Sequence, residues 1–285
     1  DVGTTLRIWS HDNFGEDLLA LPREGRLYVW DQSGGTGNRA VVVSTAPSAS
    51  NFMFVSQQDR HVICLGTHGV ASGFDPMLVR WSDQNDYTNW NVNVSSTSGE
   101  NQLGDGSELI TGLNTRNQSL IWTDNAVHAM EFVGPPFIFN FRQLGSNCGI
   151  AGQHAAIELD GRIFWMGAKD FFVYDGAVKN LPCTVRRYVY DDFNFDQKEK
   201  VYAGTNQEFR EVTWLYPSKN STEIDRYVSY NPVENYWTFG TTIFTTWEDK
   251  EVFQNVITTG READGDNYLY TNEPEGIYTA DGQKQ

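Results

Sequence analysis

The chain has 285 residues, 39% apolar and 14% aromatic, enough to build one large all-β domain or two ordinary ones. Its 21 Lys and Arg stand against 37 Asp and Glu, a formal net charge of −16, which argues against the basic footprint of a nucleic-acid binder. Apolar residues come mostly singly and in short runs, so no window reaches the length of a membrane span, and no membrane insertion by this chain is expected.

In chain order, the first strand signals are Arg26–Trp30 (RLYVW) and Val62–Leu65 (VICL). Between them, Gly34, Gly35 and Gly37 form a loop rather than a phosphate cradle, because no helical pattern follows. In Trp81–Trp90 (WSDQNDYTNW), Asp83, Asn85 and Asp86 are expected to bond their own backbone in an Asx-type turn. Ser95–Ser107 is polar and rich in Gly and Ser, and reads as a flexible loop. Ser119–Phe132 gives an apolar triplet ending in Trp122, a small polar turn and a second strand; Arg162–Gly176 does the same around Trp165.

Thr184–Lys200 follows Pro182 and carries Val185, Tyr188, Val189 and Phe193 at three- and four-residue spacing, which predicts one or two helical turns inserted between β units. Glu211–Gly240 then reads as a three-stranded meander. Its strands are Glu211–Leu215 with Trp214, Asp225–Tyr230 with Tyr227, and Tyr236–Phe239 with Trp237, separated by Pro217 and by the turn dipeptide Asn231-Pro232. Asn267–Gly282 repeats the aromatic pattern around Tyr270 and ends in Asp-Gly.

The anchors Trp122, Trp165, Trp214 and Tyr270 recur 43 to 56 residues apart, close to the roughly 40–50-residue period of propeller blades. These four, with Tyr227 and Trp237, are the expected structural anchors, since wedge-shaped gaps between small sheets call for large flat side chains. The predicted fold is therefore all-β and β-propeller-like, with about six blades of short antiparallel strands; a pair of β-sandwiches gives similar spacing. Residues 1–285 are expected to form a single propeller domain. No signal-peptide pattern is read, and a start at Asp1 rather than Met points to part of a longer chain.

Catalytic signals are sparse. The Trp81–Trp90 run lacks the spacing and turn glycine of a sialidase-type Asp box, and a glycosidase also needs two carboxylates facing each other across a sugar. Asp264, Gly265, Asp266 and Asn267, with Gly104, Asp105 and Gly106 as a weaker relative, offer oxygen ligands for Ca²⁺ but miss the EF-hand pattern; a hairpin turn explains the first group. His11, His61, His68, His128 and His154 show no metal-ligand spacing. Cys64, Cys148 and Cys183 are odd in number and far apart, as buried free thiols would be. No nucleophile elbow, P-loop or dinucleotide fingerprint is present, so neither enzymatic activity nor a cofactor is expected.

The run Leu181–Asn206 (LPCTVRRYVYDDFNFDQKEKVYAGTN), followed by the EVTWLYPS, DRYVSYN and YWTFG strands, resembles a segment of tail proteins of short-tailed bacteriophages. Val79–Asp83 and Gly161–Gly176 fit the same pattern, so the resemblance covers Val79 to Gly240 and is most specific from Leu181 onward. The similar family is the tail hub or nozzle, which includes proteins described as stabilising packaged DNA. The resemblance implies a virion tail protein built on a β-propeller. It further implies a ring of six below the portal and adaptor, a DNA channel crossed without specific binding, and surfaces for fibres, tailspikes or a plug. It brings no catalytic residues. A carbohydrate-active propeller, sialidase-like or lectin, and a monomeric scaffold for peptide partners are the other classes compatible with the composition.

Overall fold

The computed structural model describes residues 6–249, 255–261 and 265–272. Among them the strands form six small antiparallel sheets that follow one another along the chain, the architecture of a six-bladed β-propeller. The chain divides into two compact units, Asp1–Gly149 and Ile150–Gln285, each holding three sheets.

In the first unit, blade one comprises β1 (Trp9–Phe14), β2 (Asp17–Pro22), β3 (Tyr28–Trp30) and β4 (Val41–Val42). Blade two comprises β5 (Ser50–Val55), β6 (Val62–His68), β7 (Phe74–Trp81) and β8 (Gly99–Gln102). Blade three comprises β9 (Leu109–Asn114), β10 (Ser119–Thr123), β11 (Ala126–Gly134) and β12 (Ile138–Ser146). Strands β5 and β6 of blade two are buried on both faces, which is why their apolar residues run on without alternation. Met53, Val55, Val62 and Cys64 pack with Leu19, Leu21 and Val29 of blade one. Their neighbours Phe52, Phe54, Ile63 and Leu65 point the other way, against Leu109, Ile121 and Met130 of blade three.

Each first strand pairs with only one partner in its own sheet, so its outer edge needs donors and acceptors from elsewhere. At β5 the blades on both sides supply them. Along β5, the Met53 amide donates to Ser10 Oγ at 3.0 Å and the Val55 amide to Asp12 Oδ2 at 2.9 Å, while Asn114 Nδ2 donates to the Val55 carbonyl at 2.7 Å. Ser10 and Asp12 alternate on β1 as Met53 and Val55 do on β5, so one face of β1 stitches the edge of its neighbour.

The second unit begins with blade four: β13 (Ala156–Leu159), β14 (Arg162–Met166), β15 (Phe171–Tyr174) and β16 (Val178–Asn180). Blade five holds β17 (Tyr202–Asn206), β18 (Glu211–Tyr216), β19 (Arg226–Asn231) and β20 (Tyr236–Thr241). The described part of blade six is β21 (Phe244–Glu248), β22 (Ile257–Arg261) and β23 (Asn267–Thr271). Asp160 and Gly161, both with positive φ, make the tight turn between β13 and β14.

Trp122, Trp165 and Trp214 occupy the second strand of blades three, four and five, and all three are fully buried. Tyr270 departs from the pattern: it lies on the third strand of its blade, only half buried, with its edge on Phe244 at 5.4 Å. In that blade the large ring comes instead from Trp247 on β21, whose Nε1 donates to the Thr205 carbonyl at 2.7 Å. The second strand expected after Tyr270 lies outside the described residues.

Blade five has four strands where the sequence reading found three, because Tyr202–Asn206 (YAGTN) is its first strand. That segment carries small residues for a packing reason. A Cβ on Gly204 would fall 2.1 Å from Cγ of Trp247. Ser95–Ser107 is likewise not a plain loop: Gly99–Gln102 within it forms β8 on β7. We expect Gly204→Ala to cost about 1–3 kcal/mol through overpacking against a pinned ring, and Gly37→Ala, which opens onto free space, to stay within about 0.5 kcal/mol. Denaturant unfolding of the two variants measures both.

Candidate functional site

The Trp81–Trp90 segment is a turn, but Asp83 does more than bond locally. Asp86 behaves as expected, its Oδ1 accepting from the Thr88 amide at 2.8 Å and the Thr88 hydroxyl at 2.6 Å. Asp83 reaches across to Thr97, accepting from its amide at 2.8 Å and its hydroxyl at 2.6 Å, while Oδ2 takes Asn89 Nδ2 at 2.8 Å. Asn85 adopts a left-handed φ of +59° and donates its amide to the Arg60 carbonyl at 3.0 Å. Burial pushes the Asp83 carboxyl upward, yet the donors on Thr97, Gln84 and Asn89 outweigh it and hold the group below the usual carboxylate range.

Thr97 leads from there to a buried polar cluster. His61 Nδ1 faces Asp59 Oδ2 at 3.3 Å, both side chains being almost wholly enclosed, and His61 Nε2 lies 3.1 Å from Thr97 Oγ1. Ser56 donates its hydroxyl to Asp59 Oδ1. Carboxylate, imidazole and hydroxyl thus stand in the order of a nucleophilic triad. The protons run the wrong way for one. Thr97 gives its hydroxyl proton to Asp83 and accepts from the Gln84 amide at 2.8 Å, so toward His61 it is an acceptor and Nε2 carries the hydrogen. A general base requires the opposite. In this arrangement the cluster ties residues 56–61 to the 83–97 loop.

The remaining sequence candidates are dispersed. Among the described residues no three His, Cys, Asp or Glu side chains are grouped to hold a metal ion. Asp105 spends its carboxylate on Asn125, Gln143 and Ser146. Asp264 lies outside the described residues; beside it Gly265, φ +90°, accepts from Arg261 Nε at 3.1 Å across the β22–β23 hairpin. His154 stacks on Tyr202 at 4.9 Å, and burial lowers the His128 pKa. Cys64 and Cys148 are buried and Cys183 half buried; burial pushes the Cys64 thiol up to about 12 and the other two to about 11. None has the lowered pKa of a reactive thiol.

Two surface features stand out, of which the sequence indicates only the second. The first is the β11–β12 ribbon. Both strands run nine residues, while β10 covers only Ser119–Thr123, so the ribbon extends beyond its sheet from Glu131 to Asn140. Phe139 pins its base, meeting His61 at 5.1 Å and Trp81 at 5.2 Å. Ile138, a β-branched residue, sits at φ +60°, a strained conformation that its buried side chain holds in place. Beside the ribbon lies a cleft lined by Gln57, Asn114, Thr115, Gln118 and Phe132, whose Asn114 and Thr115 already bond within the protein.

The second feature belongs to Leu181–Gly240. Helix α1 (Arg186–Asp192) and a 3-10 turn over Phe195–Lys200 precede blade five. Val189 and Phe193 are buried as predicted, but the packed face turns toward Tyr190, which contacts Phe171 at 5.5 Å and donates its hydroxyl to the Gly167 carbonyl at 3.0 Å. Tyr188 stays half exposed against Phe239 of β20, ring centroids 4.3 Å apart. Behind them the anchors converge. Trp214 donates to the Ala155 carbonyl at 3.1 Å and touches Phe171 at 4.9 Å, with Trp237 stacked at 6.1 Å and bonded to the Pro182 carbonyl. Tyr227, half buried, lies over Gly240.

No protein-family model and no curated protein matches the chain. Solved structures do. The crystal structure of the computationally designed Ika8 protein aligns with a TM-score of 0.54 at 12% identity, covering 92% of this chain and 70% of that one. Hsv2 of Kluyveromyces lactis aligns with a TM-score of 0.50 at 7% identity, covering 94% and 73%. At such identities the likeness concerns the fold alone.

Because the folded Asp83 carboxyl titrates below its unfolded value, its contribution is present above about pH 3.9 and is lost as the pH falls through the folded value. Asp83→Asn should lower stability at pH 7 by about 1–2 kcal/mol, the scale of hydrogen bonds to a charged group, and flatten the decline between about pH 5 and 2. Melting temperatures of both proteins across that range test this.

Proposed function

We propose that this chain is a structural subunit of a tail hub or nozzle in a short-tailed bacteriophage. The observation that carries the reading is the Leu181–Gly240 block. The residues that resemble the tail family build one continuous piece, α1, the 3-10 turn and all of blade five, centred on the buried Trp214. Outside that core the block leaves Tyr188 and Phe239 half exposed with their rings 4.3 Å apart, an aromatic pair suited to contact with other chains.

In this role the subunit assembles with copies of itself, as a hexamer, below the portal and adaptor and carries fibres, tailspikes or a plug. A net charge of −16 suits a wall that DNA must pass without sticking, since attraction to many phosphates would stall its exit. The chain acts as a scaffold and no catalytic step is assigned to it. Light scattering and negative-stain images of the purified protein, alone and mixed with portal and adaptor, test the reading. A closed ring of about six subunits is the expected result. A monomer under both conditions that binds a glycan on a screen would contradict it and favour the carbohydrate-binding alternative.

A further inference from the structure

The end of the β11–β12 ribbon is apolar in a chain that is otherwise strongly acidic. From Phe132 to Phe139 the sequence is FVGPPFIF, eight residues without one polar side chain. Ile138 and Phe139 turn inward, but Phe137 is 78% exposed, Val133 52% and Phe132 38%, with Pro135 and Pro136 exposed between them. The base of the ribbon changes character at once: Glu131 pairs with Arg142 at 3.5 Å, and Asn140 stands opposite Glu131 in the ladder. The ribbon therefore has an apolar end and a polar, locally neutral belt.

We propose that Phe132–Phe137 is a membrane-interface element that enters the headgroup–acyl boundary of a zwitterionic bilayer, leaving Glu131, Asn140 and Arg142 at the polar level. Three features favour lipid over a protein pocket. The exposed apolar residues of the tip are five, Phe132, Val133, Pro135, Pro136 and Phe137, against the roughly 20–30 residues a side of a standard protein interface. Two of its three turn residues, Pro135 and Pro136, have no N–H to strand in hydrocarbon, and the Phe139 amide already donates to the Phe137 carbonyl at 2.8 Å. From the Glu131–Asn140 pair to the turn the ladder holds about three residue steps, roughly 10 Å, comparable to the 5–10 Å that interfacial segments penetrate. The net charge of −16 selects against anionic lipid. No span is involved, so the tip amends the sequence expectation of no insertion without requiring a transmembrane segment. It rests on the ribbon alone and is independent of the tail-hub reading.

Flotation of the full chain with phosphatidylcholine vesicles, at low salt and in 0.5 M NaCl, tests the proposal. The protein should float under both conditions. The double variant Val133→Asp with Phe137→Asp should lose at least tenfold of the bound fraction at an unchanged melting temperature. Phe137→Trp should show a blue-shifted emission when vesicles are added. Absence of flotation, or flotation that the double variant retains, overturns the proposal. Self-association that the double variant abolishes, without flotation, also overturns it and reassigns the tip to a protein contact. A six-subunit ring that does not float refutes the tip while leaving the hub intact; a chain that floats but stays monomeric with portal and adaptor and binds a glycan does the reverse.

Discussion

A sheet of four short strands cannot bury either of its faces alone, and every other property of this protein follows from that limitation. Phe52 and Phe54 face one way from β5 and Met53 and Val55 the other, so the blade exists only between two neighbours. The same holds for its polar edge, where Ser10, Asp12 and Asn114 of adjacent blades take up backbone groups that no strand completes. Apolar faces supply most of the free energy. The hydrogen-bonding side chains fix the register at which those faces meet.

Rigid blades in turn allow irregular segments to be held in fixed positions. The loop from Ser82 to Ser98 is long and polar, yet Asp83 gathers Gln84, Asn89 and Thr97, and Thr97 fastens the loop to the enclosed His61–Asp59 pair. His61 in turn packs on Phe139, the root of the projecting ribbon. A polar cluster with the order of a catalytic triad thus serves as a mount, holding Phe139 at the root of an exposed apolar turn. In the second unit the Trp214, Phe171 and Trp237 rings give α1 and β20 a comparable foundation.

Much of the fold was legible because buried strands announce themselves by composition. The triplets ending in Trp122 and Trp165 and the Trp214 strand all lie on second strands, and their 43- and 49-residue spacing reflects the blade repeat. Tyr270, 56 residues beyond Trp214, breaks the spacing and the structural equivalence together. Tyr202–Asn206 escaped notice because a strand that accommodates the ring of Trp247 must be small rather than apolar. Tyr188 was misplaced because periodicity marks an arc of a helix, not the neighbour it turns toward. The Asp59–His61–Thr97 cluster has no sequence signature, since Thr97 stands 36 residues from His61 and is brought in by a loop. The apolar tip was hidden for the opposite reason: Gly134, Pro135 and Pro136 mark a turn, but composition alone does not say which of the apolar side chains around them stay exposed.

Mutual dependence of adjacent blades is open to one direct measurement, a double-mutant cycle on Trp214→Phe and Phe171→Leu. The two rings belong to β18 and β15, sheets joined by no strand pairing, and their centroids are 4.9 Å apart. If neighbouring blades stabilise each other through such contacts, the unfolding free energies should show a coupling of roughly 0.5–3 kcal/mol, as residues in contact do. Additivity within about 0.3 kcal/mol would mean that each blade stands on its own packing and would contradict the dependence on neighbours.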